Sequence, residues 1–431
     1  MTDETSEARL TRAKAAMAAG NAQEAFSALR PLLAFPAPEE TLAGAFALFV
    51  DVSRAFAGAD FAETIQRAAS GADPQALYDA GYALYEQRLF DVGATYLAKA
   101  NALAPGQQAI LSELAACLEQ EMRFGEAVLF LQHSGLADRD PHLRYLLGFH
   151  LLMQGDADEA AALLPALQSQ AAGNESLVFM ANALAGMIDR RALVREATSL
   201  DARDLTGWHA VLHGGLLLHE SPHGHDSPMH GRYAYLGDSH GLVREGIETL
   251  SLVLDALALR PPRILALPDR GSDILGRALA KHLDLPRVNF ADHSEEPGLI
   301  VAYDLDRIGD AALLGLLHQH RPAQLLFSHA SAWVDPFPYA PDATTLLYQH
   351  LAAPWEPQMV GPGERSDPDD SPAEEIAARI LEASATDRSA RASDDVVRIA
   401  EALQDQLSLR RTAGRRVHFR KGGPVPSNYF R

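Results

Sequence analysis

The sequence predicts an α-helical repeat solenoid followed by a three-layer α/β domain with a mainly parallel sheet. Most of the segment 8–173 repeats with a period of roughly 34 residues, which is typical of stacked helix pairs, and residues 39–70 form a degenerate copy. From Asp204 onward, short apolar runs alternate with amphipathic helical segments, a pattern that favours a parallel sheet covered on both faces. We therefore assign residues 1–190 to the repeats, 204–357 to the α/β domain, and 358–431 to a linker, short helices and a basic tail.

The repeat becomes visible when the chain is compared with itself. Its positions are Gly81, Leu84, Phe90, Gly93, Leu97 and Ala100, which recur as Ala115, Leu118, Phe124, Ala127, Leu131 and Ser134, with a further copy at Gly148, Leu151, Gly155 and Ala160. Antiparallel helices approach closely only where a small side chain faces a large one, so we expect Gly81 at such a crossing, together with Ala100. At these residues the sequence resembles the tetratricopeptide repeat family, most specifically from Ala76 to Pro105.

In that family the first helix of each repeat lines a groove, so the resemblance implies a groove here that binds a protein or peptide partner. The predicted groove residues are Tyr78, Tyr82, Tyr85, Glu119, Gln120, Tyr145, Phe149 and Met153. Aromatic side chains offer a large contact area at a small entropic cost, which suits a peptide-binding surface. The alternative is that some of these side chains pack against the next repeat or the C-terminal domain.

The α/β domain is predicted from buried strand patterns and the helices between them. The strands are 263–267, 287–290, 299–303, 324–328 and 344–348, and helices are expected at 241–258, 274–283 and 311–318. Ligands of parallel sheets bind at the carboxyl ends of strands. We therefore look for chemistry in the loops that follow Leu267 and Tyr303.

The first of these loops carries phosphate-binding features. In the first, Gly271 allows backbone N–H groups to approach a phosphate, and Arg270 supplies a positive charge before a helix start. The second loop is acidic. In this order the two loops resemble those of type I phosphoribosyltransferases, which implies a magnesium-dependent site for phosphoribosyl pyrophosphate. The residues that the resemblance assigns to this site are Asp269, Arg270, Gly271, Ser272, Asp304, Asp306 and Gly309.

The second loop departs from the pattern of that family. Asp304 and Asp306 are not adjacent, and Asp310 stands near the helix start, where the family has hydroxyl side chains. Two interpretations stay open for this domain. It is either an active enzyme that uses Mg²⁺, or a module kept for binding or assembly whose charged residues form internal salt bridges. No cofactor other than this conditional Mg²⁺ is predicted.

Histidines are concentrated between the two regions. His219, His223 and His225 lie in a short loop rich in serine, proline and glycine that could surround one transition-metal ion. No cysteine is near, and the spacing differs from known helical zinc motifs. A metal site is thus a second alternative, beside a lid or packing segment.

Charge limits the classes of partner. The net charge is −20 and the pI is about 5.2, so we expect neither nucleic acid nor an anionic membrane surface as a partner. The acidic start and the lack of a long apolar run predict a cytoplasmic protein. In contrast to the rest of the chain, the C-terminal tail is basic, and its basic residues are Arg410, Arg411, Arg415, Arg416, Arg420 and Lys421. It is therefore predicted to dock on the acidic repeats of the same or a neighbouring chain, unless it is a solvated terminus.

Overall fold

The computed structural model describes residues 4–56, 58–220, 236–332, 339–385, 392–418 and 423–425. The chain divides into two compact units, Met1–Ala185 and Gly186–Arg431. The first is helical, and the second is an α/β unit, so the predicted fold class is confirmed. Within the described residues, none of the helices combines the length and apolar character that a membrane span requires.

The first ten helices of the first unit pack as consecutive hairpins, and each hairpin contacts the next one along the chain. Its helices, the last of which extends past Ala185, are α1 (Ser6–Ala18), α2 (Ala22–Leu33), α3 (Glu39–Phe56), α4 (Ala59–Ala68), α5 (Pro74–Glu86), α6 (Phe90–Leu103), α7 (Gln108–Gln120), α8 (Phe124–Ser134), α9 (Pro141–Gln154), α10 (Ala157–Ala171) and α11 (Glu175–Ala197).

Local sequence sets where these helices begin and end. The Asp73 side chain accepts a hydrogen bond from the N–H of Gln75, and Pro74 occupies the first turn of α5, where a missing N–H costs nothing. Asp140 and Pro141 start α9 in the same way. These caps satisfy backbone donors that a helix leaves unpaired at its first turn.

Small residues sit where helices cross. A Cβ atom added to Gly81 would lie 2.5 Å from Cγ of Leu97, so α5 and α6 approach closely at this point. The large residue received by Gly81 is Leu97, while Ala100 is buried nearby on the same helix. Gly148 of α9 faces Leu184 of α11 in a similar contact, since a Cβ added to Gly148 would lie 2.6 Å from Cδ2 of Leu184. Small-against-large packing therefore holds these hairpins together.

The α/β unit is built on a six-stranded, all-parallel sheet of order β1-β7-β6-β5-β3-β4. Its strands, with four short ones outside this sheet, are β1 (Leu216–Leu217), β2 (Leu236–Gly237), β3 (Ile264–Ala266), β4 (Arg287–Asn289), β5 (Gly298–Asp304), β6 (Gln324–Ala332), β7 (Ala343–Tyr348), β8 (Leu351–Ala352), β9 (Met359–Gly361) and β10 (Glu364–Arg365). The helices are α12 (Leu205–His213), α13 (His240–Ala256), α14 (Arg270–Leu283), α15 (Ala311–Leu317), α16 (Ala373–Glu382) and α17 (Ser393–Leu403).

The strand order places the two predicted loops side by side. The chain passes from β3 outward to the edge strand β4 and then returns to β5, which pairs with the other side of β3. This reversal is a topological switch point, where open parallel sheets commonly have a crevice at the carboxyl ends of the strands. The loops after β3 and β5 thus lie next to each other.

The segment predicted as linker and short helices extends the α/β unit. Strands β9 and β10 form a hairpin in its first part. Helix α16 packs on α13 and α14, and α17 packs on α13, with Ile376, Ile380 and Ile399 buried. Burial of these apolar faces explains why the two helices are ordered parts of this layer.

Candidate functional site

The loop after β3 is tied into the fold by its own side chains. Asp269 caps α14 by accepting a hydrogen bond from the N–H of Ser272 at 2.9 Å, and the Ser272 hydroxyl accepts one from the N–H of Tyr303 at 2.9 Å. A Cβ on Gly271 would lie 3.0 Å from Cβ of Tyr303, so glycine is needed for the close approach of α14 to β5. Arg270 donates to the carbonyl of Asp369 at 2.7 Å. The loop therefore connects α14, β5 and the segment before α16.

The carboxylates of the loop after β5 are also engaged. Oδ2 of Asp304 accepts hydrogen bonds from the Tyr348 hydroxyl at 2.7 Å and from Nε of Arg307 at 3.0 Å. Burial raises the pKa of Asp304, against the opposing effect of these two donors. The Tyr348 hydroxyl also lies 3.3 Å from Oδ2 of Asp306, and Arg307 is paired with Glu356. The two predicted magnesium ligands are thus part of an internal network.

The helix start after this loop is capped by the chain itself. Oδ1 of Asp310 accepts hydrogen bonds from the N–H groups of Ala312 and Leu313, at 2.9 and 3.1 Å. A carboxylate therefore occupies the position at which the resembled family would hold a phosphate. Gly309 lies in open space, with no atom within 4 Å of a Cβ added there.

A second network, missed by the sequence analysis, lies between β5 and β6. Oδ2 of Asp238 accepts hydrogen bonds from the Tyr303 hydroxyl at 2.7 Å and from Nε2 of His329 at 3.0 Å. The rings of Tyr303 and His329 stack with centroids 5.3 Å apart, and Trp355 covers Tyr303 from 4.8 Å. Burial, with Asp238 adding to it, raises the pKa of Tyr303. The available signal was a histidine inside β6, a strand that is buried along its whole length.

This Asp238–Tyr303–His329 network is sealed from solvent. The side chains of Asp238 and His329 are 0% exposed, and Tyr303 is 2% exposed. Nδ1 of His329 is buried without a hydrogen-bond partner among the described residues. The network joins β5 and β6 to the residues that precede α13.

Of the predicted metal ligands, only His219 lies within the described residues. Its side chain is 4% exposed, and Nδ1 lies 2.8 Å from Oε1 of Glu245. His223 and His225 lie outside the described residues. No group of three histidine, cysteine, aspartate or glutamate side chains suited to a metal ion is found in the part of the chain that the structure describes.

The predicted peptide-binding side chains separate into an accessible set and a buried set. Tyr82 is 46% exposed, and Tyr78 and Tyr85 are partly exposed on the same face of α5. Glu119 and Gln120 of α7 are partly exposed too. The second set is buried. It consists of Tyr145, Phe149 and Met153 of α9, which are 4%, 3% and 2% exposed.

The prediction of an exposed face was therefore wrong for α9. Tyr145, Phe149 and Met153 are spaced four residues apart and form one apolar stripe, in which the Tyr145 and Phe149 rings stack with centroids 6.4 Å apart. Removing such a stripe from water is favourable by about 25 cal/mol per Å², so it is covered in the folded chain. The accessible candidate surface is the α5–α7 face, which we define as Tyr78, Tyr82, Tyr85, Glu113, Glu119 and Gln120.

The basic tail contributes to the α/β unit. Gly414 accepts a hydrogen bond from the N–H of His320 at 2.7 Å, and the N–H of Arg416 donates to His318 at 2.9 Å. The Arg416 guanidinium is 1% exposed and bonds Oδ2 of Asp342 at 2.7 Å. Burial by itself would raise the pKa of Asp342, but Arg416, His320 and the N–H of Leu326 together outweigh it and the pKa is lowered.

Arg416 is therefore an internal ion-pair residue and is not available for docking on the repeats. Arg410 likewise donates to the carbonyl of Leu257, at 2.5 Å. Arg415 is exposed, while Arg420 and Lys421 lie outside the described residues. Docking of the tail through its remaining basic residues stays a prediction.

His320 lies beside this ion pair, and we expect it to lower the free energy of unfolding as the pH falls. Burial lowers the pKa of His320 to about 4, with Asp342 opposing and Arg416 adding to the effect. Below about pH 6.5 the unfolded chain binds a proton that the folded chain refuses, so His320 reduces the unfolding free energy by up to about 1.4 kcal/mol per pH unit down to its folded pKa. Urea unfolding at pH 7, 6 and 5 measures this slope.

The matched variants are His320→Gln and His133→Gln, the latter at an exposed position. The slope should become shallower in His320→Gln and stay as in the wild type in His133→Gln. Equal slopes in all three proteins would contradict the assignment of this titration to His320.

Comparison with models of known protein families finds no match, and comparison with curated proteins finds none either. The resemblances to tetratricopeptide repeats and to phosphoribosyltransferases therefore remain predictions from the residues quoted above.

Proposed function

We propose that this protein binds a polypeptide partner through the α5–α7 face, and that its α/β unit serves binding or assembly without catalysis. The observation that carries the proposal is the aromatic exposure on α5. Tyr82 is 46% exposed, and Tyr78 and Tyr85, four and three residues away, share its face. Large aromatic side chains left open to water on a helix are typical anchors of protein interfaces.

Carboxylates from α7 add a charge preference to this face. Burial raises the pKa of Tyr78, and the charge of Glu113 raises it further. The pKa of Tyr85 is raised in the same way, first by burial and then by the charge of Glu119. Glu113 and Glu119 therefore place negative charge beside Tyr78 and Tyr85. A partner segment with lysine or arginine among apolar residues complements such a surface.

The proposal of a non-catalytic α/β unit is supported by the state of the two loops. An active phosphoribosyltransferase needs carboxylates open to Mg²⁺ and free N–H groups for a phosphate. Here Asp304 is paired with Arg307 and Tyr348, and Asp310 occupies the helix-start donors. The enzyme and the histidine-loop metal protein remain the alternatives.

The peptide-binding proposal is tested with peptides selected by display on the purified full-length chain. We expect selected peptides to be basic and to bind Tyr82→Ser at least about tenfold more weakly than the wild type, because truncating a central aromatic anchor often costs 2 kcal/mol or more. Fluorescence anisotropy measures each affinity. Phe179→Ser is the control, since Phe179 on α11 is also 46% exposed.

Equal binding to wild type and Tyr82→Ser, or failure to select any peptide, would count against the α5–α7 face. The α/β unit has a separate test, which is the thermal midpoint with phosphoribosyl pyrophosphate plus Mg²⁺ and with Zn²⁺. A ligand that binds only the folded state raises this midpoint. We expect no change, and a rise with either ligand favours the corresponding alternative.

A further inference from the structure

A cavity of about 490 Å³ lies between α14 and α16, beside the start of the edge strand β4. Three basic side chains line it, those of Arg277, Lys281 and Arg287, and apolar atoms of Leu285 and Ala377 complete much of the wall. Its volume falls within the range of small-molecule sites. It shares no residue with the loops after β3 and β5, so it is separate from the candidate site described above.

The basic side chains of this cavity are only partly neutralised. Arg277 and Arg287 share a single carboxylate, that of Asp273 on the first turn of α14. Glu374 also lines the cavity, but its side chain is 87% exposed and lies 4.0 Å from Arg277. Lys281 is exposed and makes no ion pair within the described part of the chain. The cavity therefore has three basic side chains but only two carboxylates, and the carboxylate of Glu374 is largely exposed to water.

The position of Arg287 is built into the fold. Its guanidinium is paired with Asp273 of α14, and a Cβ added to Gly276 would lie 3.6 Å from its Nε, which is an ordinary contact distance. This Nε is buried and has no hydrogen-bond partner among the described residues. A buried donor without a partner is costly, and like charges held close together repel each other. An anion in the cavity would relieve the repulsion between the cations.

We propose that this cavity binds a small phosphate-bearing molecule. The phosphate lies between Lys281, Arg277 and Arg287, since guanidinium groups make strong charge-assisted hydrogen bonds to phosphate oxygens and lysine adds a point charge. The remainder of the ligand lies against Leu285 and Ala377. The cavity is large enough for a nucleotide or a sugar phosphate.

Isothermal titration calorimetry of the full-length chain tests this with inorganic phosphate, AMP and adenosine at constant ionic strength. We expect saturable binding of phosphate and AMP and none of adenosine. Lys281→Gln should weaken AMP binding by about tenfold or more, because a hydrogen bond to a charged group contributes at least that factor. Arg277→Gln should weaken it as well, and Lys14→Gln, at an exposed lysine of α1, should leave it unchanged.

Circular dichroism verifies that each variant folds, which is expected for Lys281→Gln because this side chain is exposed and unpaired among the described residues. No saturable binding of phosphate or AMP at millimolar concentrations would overturn the proposal. Equal AMP affinity in the wild type, Lys281→Gln and Arg277→Gln would also overturn it. Neither result bears on the proposed peptide surface, which lies in the other unit.

Discussion

Replacing Arg416 by methionine is expected to lower the unfolding free energy by about 3–5 kcal/mol, because it leaves a buried carboxylate without its partner. Arg416 and Asp342 have side chains 1% and 0% exposed, and the guanidinium also donates to the carbonyls of Leu317 and Gln319. Urea unfolding followed by circular dichroism gives this free energy.

Two further variants separate the buried charge from general damage to the C-terminal segment. Arg415→Met alters the exposed neighbour and should stay within about 0.5 kcal/mol of the wild type. Combining Arg416→Met with Asp342→Asn removes both charges, while the asparagine still accepts from the N–H of Leu326. The double variant should therefore be more stable than Arg416→Met alone. A single variant as stable as the wild type would refute the role given to this pair.

Leu97→Ala in α6 is expected to cost about 2–5 kcal/mol, the usual range for emptying a fully buried leucine site. Leu97 is 0% exposed and fills the space above Gly81, so its removal leaves a cavity between α5 and α6. Leu103→Ala, on the same helix but at a residue 48% exposed, should change stability by less than about 0.5 kcal/mol. Thermal or urea unfolding distinguishes these two outcomes.

The same contact predicts strong coupling with Gly81. Gly81→Ala alone should destabilise the chain by about 1–3 kcal/mol, because the added Cβ would meet Cγ of Leu97 at 2.5 Å. In the Leu97→Ala background this clash is gone, and alanine improves helix propensity by up to about 1 kcal/mol. Gly81→Ala should then stabilise the protein. Additive effects of the two substitutions would mean that this crossing does not depend on a small residue facing a large one.

The sequence predicted elements better than it predicted exposure. The five expected strands are present. Four of them are buried along their length, as their short runs of mainly apolar residues predict, whereas the edge strand β4 is only partly buried. On α9, however, the pattern indicated only that Tyr145, Phe149 and Met153 share a face. Whether a face is open or covered depends on parts of the chain distant in sequence, and here it is covered.

The loops at the switch point show the same division. Their place at the carboxyl ends of β3 and β5 followed from the alternation of strands and helices. The hydrogen bond that Tyr348 donates to Asp304 from 44 residues away could not be predicted from this alternation. The Asp238–His329 contact spans 91 residues and was not anticipated either.

By itself, the sequence determined the helical repeats, the parallel α/β unit and the capped helix starts, because periodicity and capping depend on residues within a few positions of each other. Only the tertiary structure decided which charges neutralise one another, such as Arg416 with Asp342 across 74 residues, and which tyrosines remain exposed to solvent. Ion pairs and burial act over a few ångströms in space, and that proximity exists only once the chain has folded.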